Sequence, residues 1–379
     1  MIKQYTKADG SKAYMVKVYL GIDPITGKEK RTTRRGFKTE RDAKLAEAKL
    51  IANIQENGFS SPGKDMTFEE AYKGWLEEYS MTVRESTLNV VTALINKGIL
   101  SEIGDWKVKK ITRRKAQQLV KEWHSKYKTF RKYKCYASKI MDYALEEGAI
   151  TSNPFDKVKN PISIPKIKDD NDKFYSKDEL QTFLSFVEDD PMYYAIFRTL
   201  AFTGLRKGEL MALQWSDINF KDQSLSVNKT VTYGDKNRQI IGPPKTPSSN
   251  RIIKLDDNTV RALRKWKLEQ KTALFKLGHN CNKPDQFVFT NVHTNELLSK
   301  MTITHKLWSL CEENKFKKIT LHGFRHTCCS LLFEAGLGIK EVQDVMGHSN
   351  VKTTLDIYAH VTKDNKINSA RKLSEYVNF

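Results

Sequence analysis

LHGFRHTCCS, residues 321–330, is the stretch on which the reading of this chain turns. It sets His322 and His326 four residues apart, places Arg325 between them and follows with the neighbours Cys328 and Cys329. Alone, it allows a metal half-site, a thiol pair or a cluster of cations awaiting an anion. Structural zinc takes four ligands as paired half-sites, and His322 with His326 supplies one half with no convincing second. Adjacent cysteines cannot easily bridge each other, and thiol redox chemistry uses C-x-x-C or an activated lone thiol. Cys328 and Cys329 therefore read as small apolar residues along a buried helix. No metal is expected.

Working outward, bulk composition bounds the answer. A chain of 379 residues exceeds one ordinary core at ~100–200 residues per domain, and we read three units. No window approaches the ~18 consecutive apolar residues of a membrane span, and the opening MIKQYTKADGSK lacks a secretory apolar stretch. Five scattered cysteines, Cys135, Cys281, Cys311, Cys328 and Cys329, do not form a disulfide framework. These features predict a soluble, cytoplasmic protein with no membrane role. The formal charge of +20, from 65 Lys+Arg against 45 Asp+Glu, runs through every segment, which favours nucleic acid as the polyanionic partner.

The first unit, residues 1–57, reads as a small α+β domain. AYMVKVYLG and EKRTTRRGF are strands around the turn Asp23 to Lys28, and a helix starts at Thr39 with Asp42 three residues on. Residues 1–41 hold eleven Lys/Arg against four Asp/Glu, so a basic sheet bearing Arg31, Arg34 and Arg35 is a candidate for insertion into a DNA groove. A polar linker, 58–66, precedes an all-α unit, 66–158. Its first helix opens with Thr67 and Glu70 as a capping box, and further helices cover 86–97, 112–126 and 130–147. Arg113, Arg114, Lys115, Lys126, Lys128, Arg131, Lys132 and Lys134 are too dense for an indifferent surface. A second linker, 157–173, carries Pro161 and Pro165. The third unit, 172–379, starts with Ser176 and Glu179 as another capping box and reads as mainly helical with a small β region at 223–255.

Three further motifs in this unit change the reading of the opening stretch. AFTGLRKGEL carries Arg206, PPKTPSSNRIIKL carries Lys245, and VMGHSNVKTTLDIYAH carries His348 and, ten residues later, Tyr358. Two arginines, a lysine, two histidines and a tyrosine suit phosphate chemistry. Displacing one phosphodiester oxygen by another raises negative charge on the non-bridging oxygens, and fixed donors aimed there lower the barrier. Guanidinium, planar and always charged, fits that task at Arg206 and Arg325, and His348 is a further donor. A phenol of pKa ~10 needs help to ionise. Clustered cations favour phenolate, so were Tyr358 a nucleophile, His322 is the residue that would take its proton. Glu209 would be repelled by a phosphate and reads as a group orienting Arg206. His326 reads as a supporting residue, and Lys207 as surface.

These ordered motifs resemble the catalytic domain of tyrosine recombinases, the integrases of phages and conjugative transposons. The pattern is an arginine in T-G-L-R-x-x-E-L, a lysine in a β-hairpin, H-x-x-R-H-[TS], G-H and Y-x-H. Met346 departs conservatively from the leucine that many members place before G-H. The resemblance implies the tyrosine recombinase fold, with arm-binding, core-binding and catalytic units in family order. It also implies strand cleavage through a 3′-phosphotyrosyl link, Lys245 on a hairpin tip protonating the departing 5′ oxygen, and no cofactor. Double-stranded DNA at core and arm sites, a homotetramer on that DNA, an excisionase and host DNA-bending proteins are the partners it implies. A tail pattern through Ile367, Leu373, Tyr376 and Val377 reads as a helix that docks on a neighbour or on its own domain. The rival readings are a type IB topoisomerase and a regulator that keeps the fold without turnover.

Overall fold

The computed structural model describes residues 2–7, 10–22, 29–57, 65–162, 174–280 and 283–361. The chain divides into two compact units, Met1–Ser163 and Ile164–Phe379. Among the described residues no helix is long and apolar enough to cross a membrane.

The first unit opens with an antiparallel sheet in the order β1 (Ile2–Thr6), β2 (Lys12–Ile22), β3 (Glu29–Phe37). The expected turn at 23–28 lies outside the described residues. Helix α1 (Glu40–Asn57) begins where the spacing predicts, with Thr39 Oγ1 accepting the Asp42 N–H at 3.1 Å. It packs on β2 and buries Val16, Val18 and Ala43. Directly opposed residues of antiparallel strands share a face. Arg34 opposes Val16, while Arg31 opposes Tyr19 and Arg35 opposes Met15. The three arginines expected to act together are thus split: Arg31 and Arg35 share the open face, and Arg34 lies on the side that α1 covers.

In the helical part, α2 (Phe68–Thr82) carries the predicted capping box. The Thr67 N–H donates to Glu70 Oε2 at 2.7 Å, and the Glu70 N–H donates to Thr67 Oγ1 at 3.2 Å. Helix α3 (Glu85–Ile95) runs on through a π-helical turn, Asn96–Leu100, into the short α4 (Ser101–Ile103). Then come α5 (Arg113–Lys126) and α6 (Phe130–Glu146). Phe68, Ile95, Ile99, Trp123, Tyr133, Ile140 and Phe155 make the core. The start of the presumed second linker is part of this unit. Val158 is buried and accepts from Lys134 Nζ at 2.6 Å, and Gln117 and Lys159 exchange two hydrogen bonds. The segments 58–64 and 163–173 lie outside the described residues.

The second unit begins with α7 (Lys177–Ser185), capped by Ser176 and Glu179 as predicted. It continues through α8 (Pro191–Thr203) and α9 (Lys207–Met211). A three-stranded antiparallel sheet follows, in the order β4 (Ile218–Asn219), β5 (Ser224–Val227), β8 (Arg251–Lys254). Between β5 and β8 sits a separate hairpin, β6 (Thr230–Tyr233) with β7 (Gln239–Gly242). Helices α10 (Asp257–Lys276), α11 (Thr302–Glu313), α12 (Leu321–Glu334), α13 (Ile339–Met346) and α14 (Val351–Val361) complete it. One core gathers Phe183, Phe197, Leu200 and Phe324. A smaller one, of Cys328, Cys329, Phe333, Val342, Met346 and Ile357, holds the last three helices together. The cysteines are apolar filling, as their sequence context predicts, and burial pushes both thiols up to about 12. The tail residues Ile367, Leu373, Tyr376 and Val377 lie outside the described residues.

Candidate active site

Thr320 caps α12, its Oγ1 accepting the Gly323 N–H at 3.1 Å, and so sets His322, Arg325 and His326 in the first turns. Arg325 turns inward and is 2% exposed. Its Nη1 donates to the Gly204 carbonyl at 2.6 Å and its Nη2 to the Met346 carbonyl at 2.5 Å. These carbonyls stand at the C-terminal ends of α8 and α13, where the helix dipole favours a cation. Both helices stop in left-handed glycines, Gly204 at φ 61° and Gly347 at φ 63°. A Cβ on Gly204 would come within 2.5 Å of Met346 Cε, and one on Gly347 within 2.9 Å of the Ser248 carbonyl. Glycine at both positions serves conformation and close approach together.

Arg206 is the N-cap of α9. Its Nη1 donates to Glu209 Oε1 at 2.7 Å and to Ser249 Oγ at 3.4 Å, and its Nη2 donates to the Gly347 carbonyl at 3.3 Å. Its side chain keeps 38% exposure, so part of the fork faces solvent. Glu209 also accepts the Arg206 backbone N–H at 3.0 Å and Arg251 Nη2 at 3.0 Å. Burial works against its charge, but Arg251 and Arg206 outweigh it and hold the carboxyl below the ordinary range. Arg251 further donates through Nε to the Val345 carbonyl at 3.0 Å and through Nη1 to the Ser249 carbonyl at 3.1 Å.

The histidines share this field. His348 is buried and its Nδ1 lies 2.9 Å from Thr354 Oγ1 on α14. Burial, then Arg325, Arg206 and the other histidines, push its pKa down to about 3. His322 is exposed as a residue, yet the protein crowded around it and the charges of His326, Arg325 and Arg206 bring it down to about 4. His326 packs perpendicular to it at 4.7 Å between ring centroids. Arg325, lowered to about 9 by burial and by Arg206 and Arg251, stays charged at neutral pH. The site therefore combines fixed cations with neutral imidazoles.

Tyr358 stands one helical turn beyond Thr354, 38% exposed, with its ring edge-on to Phe333 at 5.0 Å. Lys245 is exposed, in the connection between β7 and β8 that also supplies Ser249 and leads into Arg251, the first residue of β8. It is not at a hairpin tip: β6 pairs with β7, and residues Gly234–Arg238 close that turn. Lys207 is not simple surface either, since it is half-buried and its Nζ donates to the Lys300 carbonyl. Arg251, Ser249 and Thr354 were missed by sequence reasoning. Arg251 alone carried a signal, as a charge opening a strand that ends in the apolar IIKL pattern.

On the first unit, Arg113, Arg114 and Lys115 are exposed in the first turn of α5, and Arg131 and Lys132 in that of α6. Neither turn holds an acidic residue, although the helix dipole favours one there. Lys115 lies over the Trp106 ring at 5.1 Å, and Arg131 over Phe130 at 5.8 Å. Arg113 and Arg114 border a groove of about 530 Å³ together with Gln117, Gln118 and Lys121. Lys134 departs from this set, because its ammonium is spent on the Val158 carbonyl. Lys126 is likewise tied to Glu102 at 2.8 Å.

Comparison with known proteins places this geometry. The chain matches the Phage integrase family over residues 173–365, an Arm DNA-binding domain over 1–54, and the N-terminal SAM-like domain of phage integrases over 67–124. It is 30% identical over 367 residues to the ICEBs1 integrase of Bacillus subtilis (strain 168), covering 96% of this chain and 97% of that protein. A prophage ps2 probable integrase of Lactococcus lactis is 26% identical, covering 91% of this chain and 92% of its own. Among solved structures, the Tn1549 transposon integrase in complex with transposon right end DNA superposes with a TM-score of 0.64 at 23% identity, covering 83% of this chain and 100% of that one. A lambda integrase dimer bound to a COC′ core site gives 0.57 at 20% identity, with 93% of each chain covered. The chain belongs to the phage integrase family and is a tyrosine recombinase, an enzyme of site-specific DNA recombination.

Proposed function

We propose that the protein integrates and excises a mobile element by cutting and rejoining DNA at the site around Arg206 and Arg325. The observation that carries this reading is the convergence of the Arg206 and Arg325 guanidiniums with His322 and His348 around the ends of α8 and α13, with burial first and the neighbouring charges second keeping the two imidazoles neutral. Arg206, Arg325 and His348 hold the non-bridging oxygens of the scissile phosphate, where charge grows in the transition state. Tyr358 Oη attacks phosphorus and passes its proton to His322, whose basicity, lowered by burial and the surrounding cations, the negative charge of the bound phosphate raises again. The bond to the 5′ oxygen breaks, and that oxygen takes a proton from Lys245. The products are a 3′-phosphotyrosyl ester and a free 5′-hydroxyl. Reversal by an incoming 5′-hydroxyl joins a new strand, with the ester conserving the bond energy. Glu209 orients Arg206, and His326 supports His322.

Residues 1–57 serve as the arm-type DNA-binding domain, 66–158 as the core-binding domain and 172–379 as the catalytic domain. Arg31, Arg35, Arg113, Arg114, Lys115, Arg131 and Lys132 meet backbone phosphates, and a DNA polyanion explains cations at helix starts that the dipole disfavours. One chain cuts one strand, so joining two duplexes engages four chains on the DNA. An excisionase and host DNA-bending proteins assist, in the cytosol of a bacterial host. The test is a nicked suicide duplex carrying the attachment site. Wild type should form an SDS-stable protein–DNA adduct and Tyr358→Phe should not; an adduct that persists in the Phe variant refutes the assignment.

A further inference from the structure

Thr354 joins two parts of the site that the chemistry treats separately. It is fully buried on α14, one turn before Tyr358, and its Oγ1 lies 2.9 Å from Nδ1 of His348, on the loop that follows α13. Among the described residues, the charged and titratable neighbours that act on that imidazole, Arg325, Arg206, His322 and His326, are cations or other imidazoles. None offers Nδ1 the anionic acceptor that would favour a proton there, and a threonine hydroxyl donates as well as it accepts. We propose that the Thr354 hydroxyl donates to Nδ1 of His348, fixing the tautomer with the proton on Nε2, and that the phosphate donor is thereby set only when the nucleophile's helix is docked.

The inference rests on His348 acting as a donor to the scissile phosphate, as proposed above. An imidazole that must donate through Nε2 needs its proton there, and the partner of the other nitrogen decides this. The same hydroxyl rides on α14, which is anchored through Ile357 in the small core with Met346 and Cys328. Displacing α14 would carry off Tyr358 and the partner of Nδ1 in one movement. Thr354 is thus a positioning residue: it acts on the phosphate through His348, and it ties readiness of the donor to the place of the nucleophile.

Two substitutions and one spectrum test this. Thr354→Val keeps the β-branched shape and removes the hydroxyl; Thr354→Ser restores it. On the suicide duplex, Thr354→Val should form adduct about 10–100-fold more slowly, the usual cost of losing the partner that orients a functional imidazole. DNA affinity should be unchanged, and Thr354→Ser should cleave close to wild type. In protein labelled with ¹⁵N-histidine, with His348→Asn to assign the resonance, His348 should carry its proton on Nε2 in wild type and lose that preference in Thr354→Val. Adduct formation at the wild-type rate in Thr354→Val, equal slowing in Thr354→Ser, or a wild-type proton on Nδ1 overturns the proposal. If Thr354→Val does not fold, the wild-type spectrum and Thr354→Ser decide it. An adduct in Tyr358→Phe would instead sink the functional reading and leave the tautomer measurement standing.

Discussion

At the residue scale, the arginines are distinguished by what they hold as much as by their charge. Arg325 satisfies two carbonyls at the ends of two helices, Gly204 and Met346. A lysine there keeps the charge but lacks the planar fork needed to reach both. Arg325→Lys should therefore lose adduct formation, and also lose about 1–3 kcal/mol of stability for a buried carbonyl left without a donor. An unfolding free energy equal to wild type would show that the bridge is dispensable to the fold. His348 gives a pH dependence whose sign follows from its lowered pKa. In the unfolded chain it titrates near the ordinary value of ~6.5, whereas in the folded protein it stays neutral down to about 3. Its contribution to stability is complete above the unfolded pKa and is lost as pH falls toward the folded one, because the unfolded chain takes up the proton first. The slope for one proton approaches about 1.4 kcal/mol per pH unit. Denaturant unfolding from pH 7 to 5 should thus be flatter in His348→Asn than in wild type; parallel curves would contradict the lowered pKa.

At the scale of elements, punctuation was the most legible part of the chain. Capping boxes at Thr67 and Ser176 and the Thr39 cap appear where spacing placed them, since a cap is a contact within one turn. The direction in which each cation points was not legible. Lys134 and Arg131 share α6, yet Lys134 turns to the Val158 carbonyl while Arg131 stays exposed. Lys134→Met should accordingly lower thermal stability and leave DNA affinity nearly unchanged. Arg114→Ala should do the reverse, weakening DNA binding and reducing the slope of log affinity against log salt by about 1. Filter or fluorescence binding over a salt series, set beside melting curves, separates the two. If both variants lose affinity equally, the division drawn from the structure is wrong.

For the whole molecule, a charge of +20 predicts binding dominated by counterion release. If six or more phosphates are contacted, affinity for duplex should fall ~10³-fold or more between 50 and 200 mM salt. A shallow dependence would mean that most of the lysines and arginines meet solvent, not DNA.

The amino-acid order by itself determined which side chains are available for chemistry, where helices start, and that two arginine motifs, two histidines and a tyrosine follow one another at family spacing. These are properties of neighbours along the chain, and local periodicity reports them. Only the tertiary structure decided that Arg325 is held by Gly204, 121 residues away, that Arg206 reaches Gly347 across 141 residues, and that Arg251, Ser249 and Thr354 complete the site. It also moved Lys245 off a hairpin tip and put Arg34 on the other face from Arg31. Such contacts form between residues with no shared period, where helix ends happen to meet, so they are set by packing and not by any pattern readable in the chain.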